Sequence, residues 1–237
     1  MISLEQTLSI SIKLVSLSCV IQAAELFRLR TFLVKSKIIK ISAALFYAIC
    51  ASLLLVSTLT LSSIFLKTAA ILLVLQLCIL WALQRPFNGG SDYMTINALV
   101  CLSVAQNSST AAPYAMGYLA IQLTLSYFLA GFAKITEAKW WSGEALKHFI
   151  NRSSYSVPIG IKKLSQHSTL IQLTSIGLLL VEIGFPIIFL AKITLPIFLS
   201  TTLVFHLLNF WVFGLNRFFF AWLACYPALL WLIRNYR

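Results

Sequence analysis

The chain has 237 residues, 60% hydrophobic and 10% charged, with a mean hydropathy of +0.92. A soluble domain carries about 25% charge, and 18 basic and 6 acidic side chains, half of them clustered in two segments, do not make a water-facing surface. The net charge of +12 has a plainer source than nucleic acid, because cytoplasmic loops collect Lys and Arg and anionic headgroups attract them; no nucleic-acid partner is expected.

The apolar runs are long enough for the roughly 20 residues that span a bilayer as helix, and because they are continuous rather than alternating they favour helix over a barrel. The predicted fold is an all-α integral membrane protein, a polytopic bundle of about eight transmembrane helices forming a single domain over residues 1–237. The first pass, near 5–26, is interrupted by Glu5, Gln6, Lys13 and Glu25. Passes at 41–61 and 64–84 follow, joined by a Ser62-Ser63 turn, then a short segment at 93–107 after the break Pro86-Phe87-Asn88-Gly89-Gly90. Ala111 to Lys134 forms a long pass, and the last three run near 168–190, 194–214 and 217–233. Glycine, proline and Asn-Ser-Ser mark the gaps. Between Glu137 and His167 lies the longest polar stretch; Trp140 and Trp141 open it, and residues 140–150 fit a short amphipathic helix along the interface or a simple anchor.

Basic residues cluster after the first pass (Arg28, Arg30, Lys35, Lys37, Lys40) and after the fifth (Lys139, Lys147, Arg152, Lys162, Lys163), which with eight passes puts both termini outside. A re-entrant 93–107 would invert the middle of that map. The N-terminus has no basic region followed by a cleavage site, so no signal peptide is expected. The five cysteines fall in apolar stretches without a CxxC pair, which points to packing residues and to neither a disulfide framework nor a metal site.

Ionisable groups at bilayer depth are costly and tend to face the bundle interior. Lys134 ends the fifth pass, with Tyr127, Ala130 and Gly131 on roughly its face; Glu182 sits one turn before Pro186; His206 and Asn209 share a face; Asp92 opens the fourth segment. Each also has a purely structural explanation: a snorkelling lysine, a carboxylate locking helices to a Lys or Ser, interhelical hydrogen bonds from His206 and Asn209, and a helix cap at Ser91-Asp92. Together they point to an internal polar cavity, where such groups suit proton transfer.

These residues also resemble a known family. Tyr127-Phe128-Leu129-Ala130-Gly131-Phe132-Ala133-Lys134, followed by Trp140, Trp141 and Gly143, is similar to a signature of the vitamin K-dependent gamma-carboxylase membrane domain and of its bacterial relatives, the HTTM (horizontally transferred transmembrane) domain proteins. Val181-Glu182 with Pro186 resembles the family's intramembrane acidic-proline element. Phe205-His206-Leu207-Leu208-Asn209, with Phe213-Gly214 and Phe218 to Pro227, resembles its histidine block. The similarity spans most of residues 85–233 in the family's order.

The resemblance implies catalytic roles for Lys134, as the base that deprotonates a vitamin K-type hydroquinone, and for His206, in the wall of the same pocket. Oxygenation of the hydroquinone then yields the strong base that removes a glutamyl gamma-proton. Tyr127, Glu182, Asn209, Asp92 and Trp141 are the supporting candidates, and a quinone or hydroquinone is the implied cofactor, with no metal. The sequence departs from the carboxylase in three ways: Ser91 to Asn97 contains no histidine, Ala133 stands where the family has a second lysine, and no counterpart of the extramembrane propeptide-binding domain is expected. Small HTTM proteins include relatives of a membrane component that helps mature a sporulation-delaying peptide toxin.

Two function classes therefore stay open. One is a membrane-embedded, gamma-carboxylase-like or quinol-dependent enzyme with a lysine base. The other is a non-catalytic accessory subunit for maturation or export of a peptide. Membrane lipids and a peptide substrate or partner protein are the expected partners, and a bacterial cytoplasmic membrane the expected location. No repeated halves suggest a transporter.

Overall fold

The computed structural model describes residues 3–28, 45, 48–56, 59, 63–82, 90–152 and 157–235, which are almost wholly helical, with no strand among them. The basic residues Arg30, Lys35, Lys37 and Lys40, the turn at Ser62 and the break from Pro86 to Gly89 lie outside that set. In chain order the helices are α1 (Leu4–Arg28), α2 (48–56), α3 (Ser63–Ala82), α4 (Gly90–Asn107), α5 (Ala112–Ile135), α6 (Ala138–Trp141), α7 (Glu144–Arg152), α8 (Ile159–Leu164), α9 (Ser168–Gly184), α10 (Leu195–Phe213), α11 (Asn216–Leu223) and α12 (Tyr226–Asn235). Among the described residues, five stretches are helical, long and apolar enough to cross a membrane: Leu4–Gln22, Ala112–Ile135, Ser168–Phe189, Lys192–Phe213 and Asn216–Asn235.

Proline and glycine explain where the helices differ from the simple runs read in the sequence. The run predicted at 168–190 is α-helical only to Gly184 and continues as a 3-10 helix over Phe185–Phe189. Pro186 has no N–H to return to the carbonyl of Glu182, so the α ladder stops there. The run predicted at 217–233 is two helices, α11 and α12, separated by a turn at 224–225. Pro227 disfavours helical geometry for the residue before it and is tolerated within the first turn of α12. The interfacial helix expected over 140–150 is also broken, into α6 and α7, at Gly143, whose φ of 80° lies in the left-handed region.

The chain forms two compact units, residues 1–120 with 216–237, and residues 121–215. In the first, α1 packs against α4, α11 and α12, and α4 packs against α3 and α11. A reciprocal capping box starts α1: Ser3 N–H donates to Gln6 Oε1 (3.0 Å) and Gln6 N–H to Ser3 Oγ (3.1 Å). The helix is amphipathic in the inverse sense of a soluble one. Thr7, Ser11, Ser18 and Gln22 are buried with Ile12, Val15 and Cys19, while Ile10, Leu17 and Val20 are exposed. In hydrocarbon the apolar side chains face outward, and small polar ones let helices approach and bond inside.

At one end of that face Gln22 Nε2 and Arg217 Nη1 both donate to Asp92 Oδ1, at 3.0 and 2.9 Å. The Asp92 side chain is only 5% exposed and that of Arg217 13%. Close to them, Gly90 leaves room for the Trp222 ring, which a Cβ would meet at 3.0 Å. Asp92 is therefore more than a cap: it ties α1, α4 and α11 together. Removing one partner of a buried pair strands a charge, so Arg217→Met should destabilise the protein by about 3–5 kcal/mol. The double variant Asp92→Leu/Arg217→Met should recover most of that loss. Thermal unfolding of the detergent-solubilised native protein and the two variants checks both expectations.

Candidate functional site

The second unit carries most of the polar residues singled out in the sequence. Lys134 lies in the last turn of α5, and its Nζ is 2.7 and 2.6 Å from the two carboxylate oxygens of Glu182 on α9. The Glu182 side chain is 5% exposed and that of Lys134 21%. The ammonium also lies 5.3 Å from the centroid of the Trp140 ring, where the ring's quadrupole favours a cation.

Gly131, one turn before Lys134, is what brings the helices this close. A Cβ there would stand 2.7 Å from Ile183 Cγ1 and 2.8 Å from both Glu182 Cβ and Ile183 N. The loop after α5 is pinned to the same helix. Ser175 Oγ donates to the Trp140 carbonyl (2.5 Å), Gln172 Nε2 to the Trp141 carbonyl (3.2 Å), and Trp141 Nε1 to the Ile135 carbonyl (2.9 Å). A Cβ on Gly143 would meet the backbone of Gln172 at 2.9 Å. The glycines and tryptophans around Lys134 thus set one close α5–α6–α9 contact.

Two turns before Lys134, Tyr127 reaches α10. Its hydroxyl is 2.5 Å from His206 Nε2, and its ring stacks on Phe185 with centroids 4.3 Å apart. Phe185 in turn meets Phe198 edge-on at 5.8 Å. His206 is 2% exposed, so the tyrosine–imidazole bond is made in an almost dry interior. Asn209, one turn along α10, serves its own helix: Nδ2 donates to the Phe205 carbonyl at 2.9 Å. Its backbone carbonyl accepts from Leu215 N–H at 3.3 Å, across the left-handed Gly214.

A cleft of about 180 Å³ opens in this unit, its wall almost wholly apolar. Tyr127 from α5, Gly177, Val181 and Glu182 from α9, and Thr202 and Phe205 from α10 help to line it. An apolar cavity of about 150 Å³ holds one benzene, so the cleft has the size of a single ring. Neither Lys134 nor His206 is among its lining residues; their partners Glu182 and Tyr127 are. The structure therefore joins Lys134 to Glu182 and Tyr127 to His206, with one member of each pair in the wall. Trp141 stays on the exposed side of α6, and Asp92 belongs to the other unit.

Several contributors were not singled out from the sequence. Gln22 and Arg217, the partners of Asp92, carried a signal, since a Gln within an apolar run and an Arg at the edge of one need internal partners. Gly177 and Thr202 in the cleft wall carried none. Two glycine substitutions on facing helices separate packing from openness. Gly131→Val should lower stability by about 1–3 kcal/mol through overpacking against Ile183. Gly177→Ala, where a Cβ meets nothing within 4 Å, should be neutral or stabilising by up to about 1 kcal/mol. Denaturant unfolding in micelles reads both.

The comparisons with known proteins agree with this architecture. A model of the HTTM domain matches residues 33–232, reaching further towards the N-terminus than the motifs between 85 and 233. No curated protein and no solved structure matches the chain. With an HTTM match over most of its length and five helices fit to cross a bilayer, the chain is an integral membrane protein that belongs to the HTTM domain family.

Proposed function

We propose that this protein is a gamma-carboxylase-like membrane enzyme that binds a quinol-type lipid in the cleft of its 121–215 unit and takes a proton from it with the Lys134–Glu182 pair. The observation that carries the reading is the placement of an ion pair, Lys134 Nζ to Glu182 at 2.6 Å, against an otherwise apolar cleft of one-ring size. Beyond the five spans, we take residues 41–61, 64–84 and 93–107 as three more passes of an eight-helix, single-domain bundle.

The residues present fit a hydroquinone head. The volume suits one ring, the wall suits its faces, and Glu182 and Tyr127 supply an acceptor and a hydroxyl at the edge. A longer apolar tail would lie outside the cleft, among lipid. When bound, a hydroquinone supplies ionisable hydroxyls and two reducing electrons. The protein's own part is acid–base work. An ammonium and a carboxylate together can hold one more proton than they do, and exclusion of water keeps the transfer between fixed partners. The Tyr127–His206 bond, braced by Phe185, holds the phenol ring of the wall in place. The resemblance assigns Lys134 as the base of this pair.

A second reading has its own observation. Lys134 and Glu182 engage each other fully and close α5 onto α9, as a structural clamp in a peptide-maturation or export subunit would.

Occupancy separates the two. Mass spectrometry of lipids released from the purified protein should show a hydroxylated or quinoid ring lipid, enriched over the bulk membrane. Gly177→Phe adds a ring at the cleft wall and should remove that enrichment by at least about tenfold, a loss of 1.4 kcal/mol or more in binding. An unchanged lipid profile in Gly177→Phe leaves the accessory-subunit reading ahead.

A further inference from the structure

We infer that Glu182, rather than Lys134, is the catalytic residue that meets the ligand hydroxyl and receives its proton, and that Lys134 is a positioning residue. This rests on the reading of the cleft as a site for a hydroxylated ring lipid and assigns the roles within it.

Three observations carry the assignment. First, Glu182 lines the cleft and Lys134 does not, so a ligand inside it borders the glutamate and not the lysine. Second, the ammonium is already engaged. Both carboxylate oxygens of Glu182 hold it, and the Trp140 ring lies 5.3 Å from it. An ammonium so engaged has no free lone pair and must lose a proton before it can take one, whereas a carboxylate has lone pairs left after accepting from Lys134. Third, the backbone positions Glu182 for the task. Gly131 lets α5 close against it, and the ladder of α9 ends one turn later at Pro186, which fixes the carboxylate near the end of a rigid helix.

The step balances without a co-reactant. The ligand's O–H bond breaks and leaves its electron pair on the ligand oxygen. The proton forms a new O–H bond on Glu182, and the Lys134 ammonium stays charged and balances the anion that remains in the cleft. A ligand of the size of one ring with one acidic hydroxyl, a phenol or a quinol, fits this step; a larger fused system exceeds the volume.

The test uses the full chain in detergent micelles and a single-ring probe, a nitrophenol carrying an alkyl tail, whose ionisation is read by absorbance. Infrared difference spectroscopy locates the proton in the same sample. In the native protein the probe should bind and ionise while the carbonyl stretch of an undissociated carboxylic acid appears, a band that Glu182→Gln removes. Lys134→Ala leaves Glu182 buried without its counter-charge, so its carboxylic acid is undissociated before the probe arrives and the probe-induced band should fall at least about tenfold, whereas Lys134→Arg should restore most of it, since a guanidinium keeps the charge and cannot accept a proton. Ionisation without the acid band, or a Lys134→Arg protein that binds the probe but does not recover, returns the base role to Lys134 and overturns the inference alone. A native protein that does not bind the probe overturns the cleft's proposed ligand class and this inference with it.

Discussion

A charge held in hydrocarbon has to be answered by another charge, and in the 121–215 unit that requirement shapes nearly everything around Lys134 and Glu182. Unpaired, either group would cost several kcal/mol at that depth. Paired at 2.6–2.7 Å, they fix the separation of α5 and α9, which only a glycine at 131 permits. The short helix α6 is held against the same contact through Ser175 and Gln172, and that places the Trp140 ring over the ammonium. The residues between Tyr127 and Gly143 thus pack as one set of interactions around the ion pair.

The other unit solves the same problem with different groups. Asp92 is satisfied by Arg217 and Gln22, and the polar face of α1 turns inward beneath apolar residues directed outward. Arginine suits this role because its guanidinium stays charged at any accessible pH and leaves donors for further bonds. Lysine brings a compact ammonium instead, held by both carboxylate oxygens of Glu182.

Much of this was legible in the sequence, residue by residue. Lys134, Glu182, His206, Asn209 and Asp92 stand out because polar groups are rare in apolar runs, and Tyr127 and Gly131 fall on the face of Lys134 by helical spacing alone. The pairings were not legible. Tyr127 meets His206 and Lys134 meets Glu182 across 79 and 48 residues, and helical periodicity gives the direction of a side chain on its own helix, never the register of the helix opposite. Asp92 read as a cap because Ser91-Asp92 before an apolar run fits that role locally; its partners come from α1 and α11. The helix breaks at Gly143, Pro186 and Pro227 were visible as residues, but their effect was hidden inside runs whose hydropathy continues unbroken.

The order of the chain adds a consequence of its own for biosynthesis. The unit that holds α1 is completed by α11 and α12, which leave the ribosome long after α1. Until they emerge, the buried face of α1 from Thr7 to Gln22 lacks the packing of those two helices, and Asp92 lacks its arginine. The nascent chain must therefore shelter that face during translation, in the insertion machinery or against α4. Every residue that lines the cleft, by contrast, lies between Tyr127 and Leu208, so all of its wall has been made before α11 begins.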